Sequence, residues 1–175
     1  MKMPKVGFAW LAPVAVLISL LVVPGTYAAR QTDDTRVASA SGSLAIVASV
    51  PQRREVVDGQ LLFEVLNTIN FTGTLAGTSL CVTSGRVNLS TGQGSFSCHG
   101  SFTGTVAGIS GTYVIRVAGT LNGPIAQGRL VITSSTDGES AEDHLVGQLS
   151  FVQNSNCGPF GCTAGPYTGQ IHLTD

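Results

Sequence analysis

Residues 71–79, FTGTLAGTS, are nearly repeated by residues 102–110, FTGTVAGIS, 102 − 71 = 31 positions further on. Each copy pairs an aromatic with β-branched threonines and then places Ala-Gly, the pattern of a strand running into a turn. Gly and β-branched residues are both costly inside helices, and Thr and Phe suit a pleated, half-buried surface. The composition agrees, with 22 glycines and only 11% charged residues, which points to an all-β protein of short connections. Such a repeat describes architecture and carries no chemistry of its own. The chain shows no catalytic or cofactor motif beside it.

The segment between the two copies reads as a hairpin. Thr91-Gly92-Gln93-Gly94 is a turn signal separating residues 80–90 from 95–105. Folding about it pairs Leu89 with Phe96, Val87 with Cys98 and Thr83 with Phe102. One face then collects Val87, Leu89, Phe96, Cys98 and Phe102, while Ser95, Ser97, His99, Ser101 and Thr103 face the other way. Further strands are expected at residues 43–50, 60–71, 112–121, 128–134, 145–152 and 167–173, with a charged turn over 51–59. Strand 60–71 also carries Leu62 and Leu66 on its second face, as a strand partly covered on both sides does. Seven or eight strands with short connections make a closed barrel or a β-sandwich.

The N-terminus has the layout of a secretory signal peptide. Lys2 and Lys5 precede the apolar run Phe8 to Val23, which Pro24-Gly25 breaks before Thr26-Tyr27-Ala28. The run is shorter than the ~20 residues of a spanning helix and Pro13 interrupts it. Residues 1–28 are therefore expected to be removed, 29–42 to form a flexible leader and 43–175 to form a single domain of an exported protein. Removal takes both lysines, leaving seven arginines against ten acidic residues, 7 − 10 = −3. A nucleic-acid surface needs clustered Lys and Arg. The one adjacent basic pair, Arg53-Arg54, sits beside Glu55 and Asp58, so no nucleic-acid partner is expected.

Four cysteines in an exported chain predict disulfides rather than a metal site. The hairpin register above places Cys81 opposite Gly104 and Cys98 opposite Val87. At ~3.3 Å per residue the two cysteines are then roughly 20 Å apart, beyond the ~7 Å that a disulfide tolerates between Cα atoms. Cys157 and Cys162 are accordingly expected to pair within CGPFGC, with Cys81 and Cys98 unbonded. No metal is expected: the acidic run 137–143 does not match a calcium-loop spacing, and His99, His144 and His172 alternate with polar residues as solvent-facing side chains do. Glu64 and Asn67 stand out as polar groups inside the most apolar element of the mature chain. Facing a barrel interior, either one would need a partner or would meet a ligand.

Residues RREVVDGQ at 53–60, the two FTGT copies, SGTY at 110–113 and YTGQIHL at 167–173 together resemble a bacterial family of unknown function that is itself similar to the allene oxide cyclase barrels. The resemblance spans about residues 43–173. It implies an antiparallel eight-stranded barrel, related to allene oxide cyclases and dirigent proteins, with an apolar cavity open at one end. Such barrels bind small hydrophobic molecules, and some promote cyclisation mainly by holding one substrate conformation. No cyclase catalytic residue maps onto a position here, and no cofactor is implied. On this reading Phe63, Asn67, Phe71, Tyr113 and Phe151 are the candidate lining residues. A cofactor-free cyclase or isomerase would use Glu64 or Asn67 to steer the substrate. A cell-surface or matrix module would instead fill the barrel with its own side chains.

Overall fold

Two-residue turns with both residues at positive φ reverse the chain at Asp58-Gly59 (49° and 74°) and at Ala107-Gly108 (51° and 88°). This is the backbone of the type I′ turn, whose twist matches that of the strands it joins. The structure, a computed structural model, describes residues 35–134, 144–154 and 164–174. Among these the chain forms eight strands: β1 (Thr35–Val57), β2 (Gln60–Gly73), β3 (Leu75–Asn88), β4 (Gln93–Val106), β5 (Ile109–Asn122), β6 (Ile125–Ser134), β7 (His144–Asn154) and β8 (Gly165–Thr174). Each pairs antiparallel with the next, and β8 returns to β1, so the sheet closes into a barrel rather than splitting into a sandwich.

The expected leader ends earlier than position 42. Thr35 to Leu44 pair residue by residue with β8 and supply the seam of the barrel. Ser39 and Ser41 are exposed while Ala40 is buried. A strand whose inward side chains are this small shows no apolar period in the sequence. Gly42 marks the place where β1 is paired on both sides, with Tyr167 on β8 and Gly73 on β2. A Cβ there would lie 1.9 Å from the Thr72 carbonyl oxygen, so only glycine fits this seam. The charged turn expected over 51–59 is also shorter, because β1 runs to Val57 and the turn is Asp58-Gly59 alone.

The β3–β4 register differs from the expected one by four residues. Val87 lies opposite Gly94, Thr83 opposite Cys98 and Cys81 opposite Gly100. Asn88 explains the slip: its Oδ1 accepts hydrogen bonds from the Ser90 and Thr91 amides, and its carbonyl accepts one from the Gly92 amide at 2.8 Å. This Asx turn reverses the chain before the TGQG signal is complete. An even slip keeps the inward parity of the paired residues, and Phe96, Cys98 and Phe102 do point inward, but Leu89, expected on the same face, falls in the turn beyond Asn88 and is exposed. It also brings the two cysteines onto a short diagonal, with Cα atoms 5.8 Å apart, where Cys81 and Cys98 form a disulfide. The expectation that they stay unbonded is corrected. Cys157 and Cys162 lie outside the described residues, as do the signal segment and the acidic run 137–143.

The two repeats meet inside the barrel. Phe71 and Phe102 pack edge to face, with ring centroids 5.5 Å apart, and Tyr167 and Tyr113 extend the cluster on either side. The copies are not used alike. The second turns at its Ala-Gly, whereas the first reverses at Thr74 and carries its Ala-Gly into β3. Tyr167 holds that tighter corner: its hydroxyl accepts from the Leu75 amide at 2.8 Å and donates to the Thr72 carbonyl at 3.0 Å. Leu75, Val106, Ile115, Ile132 and Ile171 are fully buried around it. One half of the barrel is thus filled by its own side chains.

Burial raises the Tyr167 phenol above its ordinary range, against the smaller lowering effect of the Leu75 hydrogen bond. The folded state then holds that proton more firmly than the unfolded state. Its contribution to stability is complete below about pH 10 and is lost as pH rises through the folded value. Tyr167→Phe is expected to flatten this alkaline decline. It should also cost about 1–3 kcal/mol at neutral pH, because the buried Leu75 amide loses its acceptor. Urea unfolding midpoints of both proteins at neutral pH and at about pH 10–11 check both effects, and equal alkaline slopes would show that Tyr167 is not their source.

Candidate functional site

The other half of the barrel is hollow. A cavity of about 480 Å³ is lined by inward side chains of β1 to β7, and it reaches solvent among exposed Ser49 and Pro51 and the turn residue Gly123. Its wall is mostly aliphatic and aromatic, including Leu44, Ile69, Phe96, Val117, Leu130 and Phe151. Strand alternation places these residues, since every second side chain of a barrel strand points inward. Phe96 and Phe151 face each other with ring centroids 6.4 Å apart.

Of the residues singled out in the sequence, Phe63, Asn67, Phe71 and Phe151 lie on this wall. Tyr113 does not. It belongs to the packed half, where it stacks on Phe102 and donates its hydroxyl proton to the Ile109 carbonyl at 2.8 Å. Glu64 is likewise off the wall, because its neighbours Phe63 and Val65 face the cavity and the pleat turns Glu64 outward, in register with Arg53 and Ser84. His99 is exposed. Ser79, fully buried in β3, has the one buried side-chain oxygen among the described residues without a hydrogen-bond partner, and it is not on the cavity wall.

Asn67 is buried and sits at the centre of a polar strip across three strands. The Ser49 hydroxyl donates to Asn67 Oδ1 at 2.6 Å, and Asn67 Nδ2 donates to Thr83 Oγ1 at 2.8 Å. Ser49, Asn67 and Thr83 all line the cavity. A register shift between Ile46 and Ala48 makes this alignment possible. Ile46 pairs with Ile69, the next step is irregular, and Ser49 then falls opposite Asn67. Without the extra residue, Ala48 would occupy that place.

Thr83 shares the inward parity of Cys81 and Val87, so alternation alone would have found it; Ser49 depends on the irregular step, which leaves no mark in the sequence. Gln153 is a further buried polar residue of the wall, engaged in interactions of its own. Among the described residues the lining contains no Asp, Glu, Lys, Arg or His, and no three His, Cys, Asp or Glu side chains cluster as metal ligands. No helix among the described residues is long and apolar enough to cross a membrane. No protein-family model matches the chain, and no curated protein does.

Proposed function

We propose that the protein is an exported barrel that binds a small, mostly apolar molecule in the hollow half of its interior. The observation that carries this reading is the division of one barrel into a packed half and a cavity of about 480 Å³ with an apolar wall. Its size falls within the ~300–1,000 Å³ typical of pockets that enclose drug-sized ligands. A purely structural module would have every reason to fill that space, since each unfilled methyl-sized void weakens a core. Export is supported by the signal-like N-terminus and by the Cys81–Cys98 disulfide, a bond that persists in oxidising compartments.

Titration with the neutral fluorophore Nile red tests the reading. Wild type is expected to give saturable, blue-shifted emission. Ala126, a small buried residue of the wall, is the place to plug the cavity. Ala126→Trp is expected to weaken uptake by about a hundredfold or more, the equivalent of ~2.7 kcal/mol, with the far-UV spectrum unchanged. Wild-type affinity in that variant, or no saturable uptake by wild type, would remove the proposal.

A further inference from the structure

We infer that the cavity selects an uncharged ligand with one oxygen acceptor, anchored by the hydroxyl of Thr83; this rests on the binding role proposed above. Ser49 commits its only hydroxyl hydrogen to Asn67, and Asn67 commits one of its two amide hydrogens to Thr83, the other having no acceptor among the described residues. The Thr83 hydroxyl therefore accepts a hydrogen bond and still has its own hydrogen to give. It has no acceptor for that hydrogen among the described residues, and it lies on the wall of the cavity. Accepting from a polarised amide makes it a stronger donor. An alcohol, ketone, ester or ether oxygen on an otherwise apolar molecule matches this site, since its lone pairs can accept from Thr83 and from the free amide hydrogen of Asn67.

A carboxylate does not match. Among the described residues lining the cavity none is cationic, so an anion would be stripped of water with at most two hydrogen bonds in return. Desolvating an unpaired charge costs far more than such bonds restore. The sequence bears out how unusual the strip is: on the inward side of β2, Asn67 is flanked by Phe63, Val65, Ile69 and Phe71. A polar group kept in so apolar a row, and held by two hydroxyls from neighbouring strands, orients a local pair of donors rather than offering a general polar surface.

Dodecane, dodecanol and dodecanoate, assayed at about pH 8 so that the acid is ionised, separate the possibilities by displacement of Nile red from the intact mature protein. Dodecanol is expected to bind about fivefold more tightly than dodecane, the size of one net hydrogen bond. Dodecanoate is expected to bind at least about tenfold more weakly than dodecanol, or ~1.4 kcal/mol. In Thr83→Val the advantage of dodecanol over dodecane should shrink, Asn67 being the one donor left beside the site, and in Thr83→Ser it should return in full. Dodecanoate binding as tightly as dodecanol overturns the ligand class. A dodecanol advantage that survives undiminished in Thr83→Val overturns the anchor. If none of the three displaces the fluorophore, the binding role itself falls.

Discussion

Phe102→Ala is expected to destabilise the protein by about 3–5 kcal/mol, as loss of a fully buried aromatic does when its surroundings cannot collapse. Phe102 has no exposed surface and lies between Phe71 and Tyr113 in the aromatic cluster. Closed-barrel strands are held by hydrogen bonds on both sides, so they cannot move in to fill the void. The substitution also bears on the site. Phe71 packs on Phe102 and lines the cavity as well, so removing the ring extends the hollow half into the packed one. Urea unfolding measures the loss, and Phe102→Leu should recover a large part of it. A cost below about 1 kcal/mol for Phe102→Ala would mean that the cluster does not hold the packed half together.

Replacing Cys81 and Cys98 together by alanine is the second large effect. The bond closes a loop of 17 residues, for which the lost constraint on the unfolded chain is worth about 3 kcal/mol. The melting temperature should fall by roughly 10 °C for a domain of this size. Both cysteines are buried, and Cys98 is also part of the cavity wall. The double variant should therefore bind Nile red less tightly as well. Proteolytic mapping without reductant provides the direct check, by recovering a fragment that links the two positions. A reduced protein with unchanged melting temperature would contradict the contribution assigned to the bond.

The same disulfide shows where sequence reasoning stopped. Faces were legible on β3 and β4, because alternation depends only on parity: Phe96, Cys98 and Phe102 turn inward whether the register is the expected one or the observed one. Register was not, since the four-residue difference arises from Asn88 binding the backbone of its own turn. A side-chain acceptor competed with a glycine signal four positions later, at Gly92, and ended the strand first. Distance between cysteines follows register, so the pairing went with it. Residues 35–42 were missed for another reason. Small alanines and exposed serines form a strand only because β8 supplies a complete set of backbone partners.

The candidate site divides in the same way. Asn67 was visible as a polar residue in an apolar row, and Phe63, Phe71 and Phe151 by their inward parity. Tyr113 has the same parity on β5 yet belongs to the packed half, because its depth along the barrel puts it beside Phe102. Glu64 and Asn67 are three residues apart and therefore on opposite faces of one strand, a distinction the pleat settles once the segment is known to be a strand.

By itself the sequence determined an all-β chain and the side of most strands that turns inward. These follow from local rules: the period of the pleat, the conformational preferences of Gly and Asp-Gly, and the burial of aromatics. Only the tertiary structure decided that the ring closes through residues 35–44, that Cys81 reaches Cys98, and that the interior is filled at one end and hollow at the other. Each of those depends on where residues distant in the chain fall along neighbouring strands. A single irregular step in β1 sets Ser49 beside Asn67, and no property of either residue alone records it.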